Sequence, residues 1–566
     1  MKYSDMEDGA INSIGSRFLY LVEKDPNRKW CTYFSGDQNI QNVSYGELCE
    51  RALKFAATYG VSDPARKRVA ICLYQSIDLH AAFLGAILSG HIPAMMPPFS
   101  PKTEAAKFHK TIHHFLESAK PDILVIDNGM VDQLIGIGIK FDPTLNIIEP
   151  SSLARDSFMP GPQRSGDEIA FIQHSSGTTG LQKGVALSHA SVLRHQESYC
   201  RAIDLQVGRD SIVSWLPLYH DMGLIACFIL PLVAGLTLIE IPTLAWASKP
   251  SLLFEAITKY RPTLCWLPNF SYKFLAQSLK RNPALLGWDL SSIRMWVNCS
   301  EPVTDGGHAT FLEAFGGIGC NPNSLAASYA MAENVFAVSQ SDPLIDNVIK
   351  VSRERLRRNE ISKPIDANDA RTLVGCGSPL YGVNVKIIDP ETGADSKHDI
   401  GEIAIKSNFM FTGYWNNQEA TRAAFNSDGY YKTGDIGFLL DGQIFVTGRL
   451  KDVIIIQGKN VHAEDVEACL SGVEGVIPGR VVAFGMVDED MGSERLVILA
   501  ETNSDDATYR RQLTSIIRAK ISADLNLTVS IIRLLPPKWL IKSTSGKMAR
   551  KENREKLMAL SEGNYV

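Results

Sequence analysis

Residues 169–184 read IAFIQHSSGTTGLQKG, an apolar run that passes directly into a loop of three glycines, four hydroxyl residues and one lysine, Lys183. The run IAFIQ is short, apolar and bounded by a turn signal, which predicts a strand buried on both faces. The same kind of run recurs at Val69–Leu73, Ile123–Ile126, Ile212–Leu216, Thr263–Leu267 and Ile293–Val297. Helical patterns separate several of these runs. Ser44 to Glu47 forms a capping-box pattern ahead of Leu48, Ala52, Phe55 and Ala56 on one helical face. Apolar strands alternating with helices predict parallel sheets covered on both faces. Ligands of such sheets gather at the carboxyl ends of the strands, which is where the glycine-rich loop falls. Its backbone N–H groups can cradle an anion, its hydroxyls can supplement them and Lys183 can neutralise it. The loop does not match the G-x-x-x-x-G-K-[ST] nucleotide template, because Gln182 precedes the lysine and Gly184 follows it. From this stretch alone, a phosphate cradle and a solvated connecting loop both stay open.

Downstream the pattern changes. VKIID, GEIAI and QIFVTG are short strands, and Asp441-Gly442 has hairpin-turn character, so residues from about 381 to 450 read as a small β-rich subdomain. Residues 451–566 hold further strands and helices, enough for a separate α+β domain. The expected architecture is α/β. A large N-terminal domain, residues 1–450, comprises two parallel-type subdomains and the β-rich one, and a small mobile C-terminal domain follows it. The chain of 566 residues exceeds what one core can hold.

Hydrophobic residues make up 45% and charged residues 21%, an ordinary globular balance. The net charge of -5 offers no overall attraction to nucleic acid or to an anionic membrane. Ten cysteines without a CxxC pair read as reduced, buried thiols. The N-terminus lacks a signal-type apolar core. Leu224–Pro242 is nearly long enough to span a bilayer, but Glu240 and the strand-forming TLIEI after Gly235 predict a buried helix, a turn and a buried strand. The expectation is a cytoplasmic protein with no integral membrane association and no nucleic-acid partner.

Other polar stretches sit beside the apolar runs. WLPLYHDMGL carries His220 and Asp221, and SYAMAEN carries Tyr329 and Glu333. YKTGD carries Asp435, VTGRLKD carries Arg449 and Lys451, and KSTSGKMAR carries Lys547. A carboxylate suits Mg²⁺ or a ribose hydroxyl, and lysine suits a phosphoryl oxygen. Taken singly, His220 also reads as a structural histidine, Glu333 as a surface acid and Lys547 as a solvated charge.

The order SSGTTGLQKG, YHDMG, SYAMAE, GEIAI…TGYW, YKTGD, GRLKD…GKN and SGK resembles the adenylate-forming superfamily, from about residue 40 to the C-terminus. That superfamily contains acyl-CoA synthetases, peptide-synthetase adenylation domains and luciferases. The resemblance implies ATP- and Mg²⁺-dependent activation of a carboxylate to an acyl-adenylate. Carried over by position, Ser175, Ser176, Gly177, Thr178, Thr179, Gly180 and Lys183 would hold the ATP phosphates, and Glu333 would ligate Mg²⁺. Tyr329, with Ser328, Ala330 and Met331 of the same motif, would border adenine. Asn298, Ser300 and Glu301 would line the same pocket. Asp435 and Arg449 would take the ribose, Lys451 would be the hinge, and Lys547 would bridge carboxylate, ribose and α-phosphate. His220 would sit beside the acyl carboxylate. The chain departs from the common pattern at Gln182, Ala330, Ser378, His462-Ala463 and in IKSTSGK, which lacks the usual proline. None of these removes a ligand or the lysine.

Residues 344–373, LIDNVIKVSRERLRRNEISKPIDANDARTL, with Lys350, Arg353, Arg355, Arg357 and Arg358, resemble the insertion of fatty acyl-AMP ligases. So do HDMGL and KDVIIIQGKN. The resemblance implies a medium- or long-chain fatty acid as substrate and transfer to the phosphopantetheine thiol of an acyl carrier protein supplied in trans. Two alternatives are a fatty acyl-CoA synthetase with a decorated surface and a catalytically idle adenylate-binding scaffold. Intact Glu333, Asp435 and Lys547 speak against the scaffold.

Overall fold

A computed structural model describes residues 12–561 except 62–64, 100–104, 154–163, 175–182, 301–302, 304, 346, 368, 457–458, 489–492, 526 and 543–547. Among the described residues, two sheets dominate, one of nine strands and one of seven. In the seven-stranded sheet Arg68–Cys72 lies between Ile92–Met95 and Ile123–Ile126, all parallel. Ile169–His174 adds to Ile92–Met95. In the nine-stranded sheet Ser211–Ser214, Leu264–Pro268, Met295–Cys299 and Leu325–Ala330 run parallel. Their side chains are buried on both faces, as the unbroken apolar runs require.

Local signals explain the boundaries. Ser44 and Glu47 close a reciprocal capping box, and Leu48, Ala52, Phe55 and Ala56 form the buried face of the helix Tyr45–Tyr59. Asp441 and Gly442 both take positive φ, 50° and 76°, which is the backbone of a two-residue hairpin whose twist matches its strands. The long apolar stretch resolves into a buried helix with π-type bonding, Met222–Ile229, an α-helical turn, Leu230–Ala234, and the strand Thr237–Glu240. Gly235, at φ 75°, makes the turn. Among the described residues no helix is long and apolar enough to cross a membrane. All ten cysteines are free, and nine of them are buried.

Two strand readings need amending. The strand expected over Ile293–Val297 runs from Met295 to Cys299. The strand expected over Ile212–Leu216 ends at Ser214, because the chain turns there into the loop that carries His220.

Val383–Ile388, Gly401–Ser407, Tyr431–Leu440 and Gln443–Arg449 form a four-stranded antiparallel sheet. The insertion is a two-stranded ribbon, Val348–Ser352 against Ala370–Val374, with a short helix, Arg353–Leu356, between them. It is anchored by Val351, Leu356 and Leu373 on Ile436, Phe438 and Phe445 of that sheet. Each fully buried side chain of this size contributes about 1.5–3 kcal/mol. Beyond Asp452 the chain builds a core of its own from Ile454, Val466, Ile498, Leu513, Ile517 and their neighbours.

Candidate active site

Three parallel strands deliver their carboxyl ends to one edge of the nine-stranded sheet. Pro268 is in register with Cys299, and Asn298 with Ala327. Asn298 is fully buried, and its Nδ2 lies 3.0 Å from Asn269 Oδ1 and 2.9 Å from His308 Nε2. Burial pushes the His308 imidazole down to about 4, so it stays neutral beside the amide. The Asn298 Oδ1 is buried and has no partner among the described residues. Two residues on, Ser300 adopts φ 71°, an uncommon conformation for a residue with a Cβ. Its hydroxyl lies 3.9 Å from Met222 Sδ, and so meets the start of the π-type helix.

Asp221 begins that helix by accepting the Met222 amide at 2.8 Å. His220 precedes it, with its ring 4.7 Å from the Tyr219 ring. Only glycine fits at 223, because a Cβ there would stand 2.3 Å from the Pro217 carbonyl oxygen. That close approach folds the HDMG segment back on itself. Beside it Trp215 and Trp246 stack face to face at 3.6 Å, next to the half-exposed Phe270 and Phe274.

The strand Leu325–Ala330 carries Ser328, whose hydroxyl donates to the Ser339 carbonyl at 2.8 Å, and then Tyr329. The Tyr329 hydroxyl donates to Asp435 Oδ2 at 2.6 Å, and Arg449 Nε lies 3.1 Å from the other carboxylate oxygen. Asp435 and Arg449 are direct cross-strand partners in the antiparallel sheet. Burial, reinforced by the Asp435 charge, holds the Tyr329 hydroxyl well above its ordinary value, so it remains a donor.

Ala330 and Met331 lead into the turn Ala332–Asn334, which presents Glu333. The turn is fixed by an inverted backbone at Val335, φ 64° and ψ -57°, where the Phe336 amide donates back to the Asn334 carbonyl at 2.7 Å. A β-branched residue in that tight turn is strained, a feature that clusters at functional sites. Glu333 Oε1 accepts the Tyr414 hydroxyl at 2.8 Å, and the Tyr414 and Tyr431 hydroxyls lie 3.1 Å apart. Burial and then the Glu333 charge raise both phenols. Lys183 Nζ lies 4.4 Å from the centre of the Tyr414 ring, so one tyrosine touches both the expected phosphate lysine and the expected metal acid.

Lys451 lies at the junction with the C-terminal core, in the turn Leu450–Asp452. Its side chain reaches solvent, yet the protein crowded around it, with repulsion from Arg449 and Lys183, holds its ammonium down at about 8. Thus Lys183, Glu333, Tyr329, Asp435, Arg449 and Lys451 are linked through direct contacts or shared charge. Ser175, Ser176, Gly177, Thr178, Thr179, Gly180, Glu301 and Lys547 lie outside the described residues. Tyr414, Tyr431 and the Trp215–Trp246 pair were not singled out from sequence. The two tyrosines stood inside TGYW and YKTGD, which was the available signal.

Comparisons with known proteins agree with this geometry. The pattern of the AMP-binding enzymes matches residues 21–415. The chain is 29% identical to a medium-chain-fatty-acid–[acyl-carrier-protein] ligase, JamA, of Moorena producens, over 93% of this chain and 91% of that one. It is 26% identical to a 4-hydroxyphenylalkanoate adenylyltransferase of Mycobacterium tuberculosis, over 97% and 92%. Among solved structures it superposes on a fatty acyl-adenylate ligase from L. pneumophila in complex with acyl adenylate and pyrophosphate. That match has a TM-score of 0.72 and 29% identity, over 97% and 96% of the two chains. The chain belongs to the AMP-binding enzymes, the adenylate-forming superfamily, on its fatty acyl-AMP ligase branch.

Proposed function

We propose that this enzyme activates a medium- or long-chain fatty acid with ATP, and then passes the acyl group to the phosphopantetheine thiol of a separate acyl carrier protein in the cytoplasm. In the first step a carboxylate oxygen bonds to the α-phosphorus, the bond to the β-phosphate breaks and pyrophosphate leaves. In the second the thiol sulfur attacks the acyl carbonyl, AMP departs with the bonding electrons and the thiol proton passes to solvent. The observation that carries the reading is the joining of Glu333 and Lys183 at Tyr414 beside the Tyr329–Asp435–Arg449 trio.

Each group has a task that its surroundings suit. Asp435 is held by Tyr329 and Arg449 in one orientation, ready to accept ribose hydroxyls. Glu333 spends one lone pair on Tyr414 and keeps others for a hard cation. A Mg²⁺ bound there would neutralise phosphate charge. Lys183 faces the phosphates of ATP, while Lys547 offsets the repulsion between the carboxylate and the α-phosphate. A preorganised donor in such a position is worth about 3 kcal/mol of barrier. The aromatic wall of Trp215, Trp246, Phe270 and Phe274 suits an acyl chain running from His220.

The choice of acceptor rests on the insertion. Its arginines are largely engaged within the protein. Arg355 pairs with Glu360 and Arg358 with Glu354, while Arg357 donates to the Leu525 carbonyl of the C-terminal core. Arg371 pairs with Asp465 at 2.8 Å, and Asn359 meets Asn460 at 3.4 Å. These contacts support a restraint on rotation about Lys451, with residues 1–450 and 451–566 as the two moving domains. They favour it over electrostatic recruitment of an acidic carrier. Fatty-acid-dependent pyrophosphate exchange tests the activation step. Absence of exchange with every carboxylic acid, in a folded sample that binds ATP, would leave only the idle scaffold.

A further inference from the structure

Lys547 lies outside the described residues, but the chain on both sides of residues 543–547 is pinned. Lys542 and Met548 pair in an isolated antiparallel bridge, and the Ala549 amide donates to the Ile541 carbonyl at 3.1 Å. Asn553 is fully buried and clamps the same two strands of chain. It accepts from the Ile541 amide at 2.8 Å and donates to the Ile541 and Ala549 carbonyls at 2.9 and 2.8 Å. Arg550 then opens the helix Arg550–Ser561. A cation at a helix N-terminus opposes the helix dipole, so tertiary partners must hold it there. Those partners are three carboxylates. Arg550 Nε and Nη2 form a fork on Glu467 at 3.0 and 2.7 Å, and Nη1 lies 2.7 Å from Asp452 and 3.0 Å from Glu464. Glu464 and Glu467 stand on the helix Ala463–Cys469, whereas Asp452 closes the turn Leu450–Asp452 that carries Lys451. The Arg550 side chain is 16% exposed, so salt screens these pairs little.

We propose that Arg550 is a positioning residue for acyl-adenylate formation. It locks the base of the Lys547 segment to the Lys451 turn through Asp452, so that Lys547 moves with the hinge. This rests on the roles proposed above for Lys547 and Lys451. The guanidinium is planar and rigid, so its fork on Glu467 fixes the direction in which Nη1 meets Asp452. From there the link runs on to the ribose trio, because Asp452 and Glu464 both attract Arg449, the partner of Asp435. A lysine that stands between two reacting anions needs such a fixed base, since a misplacement of about 1 Å costs about a hundredfold in rate. Without the Asp452 contact the segment keeps its Asn553 clamp and the Glu467 fork. The C-terminal core then stays folded, while the register between Lys547 and the hinge is lost.

The experiment uses the full chain and two substitutions, Asp452→Asn and Arg550→Lys, singly and together. Fatty-acid-dependent pyrophosphate exchange gives kcat and KM, nucleotide titration counts ATP-binding sites, and thermal melting reports folding. Each single variant is expected to lower kcat per ATP-binding site by about tenfold or more, with KM for ATP much less affected. Asp452→Asn, the near-isosteric change, should melt close to the unsubstituted enzyme. The double variant falls no further than the lower single one, because both changes break one link. In a Lys547→Ala background Asp452→Asn costs less than about twofold, because the lysine it helps to position is already gone. Losses that multiply in the double variant, that persist in full without Lys547, or that vanish when activity is counted per ATP-binding site overturn the proposal. So does a kcat near that of the unsubstituted enzyme in both single variants. Full-rate exchange by Lys547→Ala alone overturns the role given to Lys547 and this proposal with it, whereas the other outcomes overturn only the positioning.

Discussion

At the scale of single residues, the lysine proposed to offset the repulsion between the two reacting anions should matter most. Lys547→Ala is expected to lower pyrophosphate exchange by about a hundredfold or more while ATP binding changes much less, because a transition-state interaction appears mainly in kcat. Asp435→Ala should instead raise the Kd for ATP, since the carboxylate that Tyr329 and Arg449 hold is proposed to make ground-state contacts with the ribose. Nucleotide titration separates the two outcomes. Lys451 gives a pH prediction. Its ammonium titrates near 8 in the folded enzyme against 10.5 ordinarily. Between those values the unfolded chain holds a proton that the native one has lost, so this group's contribution to stability rises with pH there. ATP is a polyanion and favours the charged lysine, so ATP affinity should fall as pH rises through about 8. Lys451→Met should flatten that dependence.

At the scale of elements, the insertion ribbon is the testable part. Its apolar side is fixed on Ile436, Phe438 and Phe445, and its polar side meets the C-terminal core through Arg357 and Arg371. Arg371→Ala removes one half of a largely buried pair and leaves Asp465 with only the charges of Arg353 and Arg357 nearby. It should raise acyl-CoA formation several-fold with CoA as sole acceptor, with little change in acyl-AMP formation, measured by product chromatography. Removing residues 344–373 should raise it further. If CoA ligation stays negligible in both variants, the restraint idea fails. The ribbon was legible from sequence only as an unusual length of basic chain. Charge alone could not say that Arg355 and Arg358 pair locally with Glu360 and Glu354, while Arg357 and Arg371 reach across to the other core.

At the scale of the whole molecule, salt distinguishes the two explanations of acceptor choice. Steering by exposed charge weakens as ionic strength rises, whereas a packed interface persists. The intact enzyme, given CoA and a cognate carrier protein together, should keep its preference for the carrier at low and high salt alike. A preference that disappears at high salt would assign it to surface charge.

The sequence by itself determined the parallel α/β class, because unbroken apolar runs such as Ile123–Ile126 can be satisfied only by burial on both faces. Local rules also determined the capping box at Ser44 and the hairpin at Asp441-Gly442, since each depends on a few neighbouring residues. Motif order determined the family. Tertiary structure alone decided that Tyr414 joins Glu333 to Lys183, residues 81 and 231 positions away from it in the chain, and that Tyr329 holds Asp435. It alone decided which arginines of the insertion are engaged, and with which partners. The physical reason is distance along the chain. Capping, turn geometry and apolar periodicity act between near neighbours, whereas a site assembled at the ends of several strands depends on registers that only the folded sheets bring together.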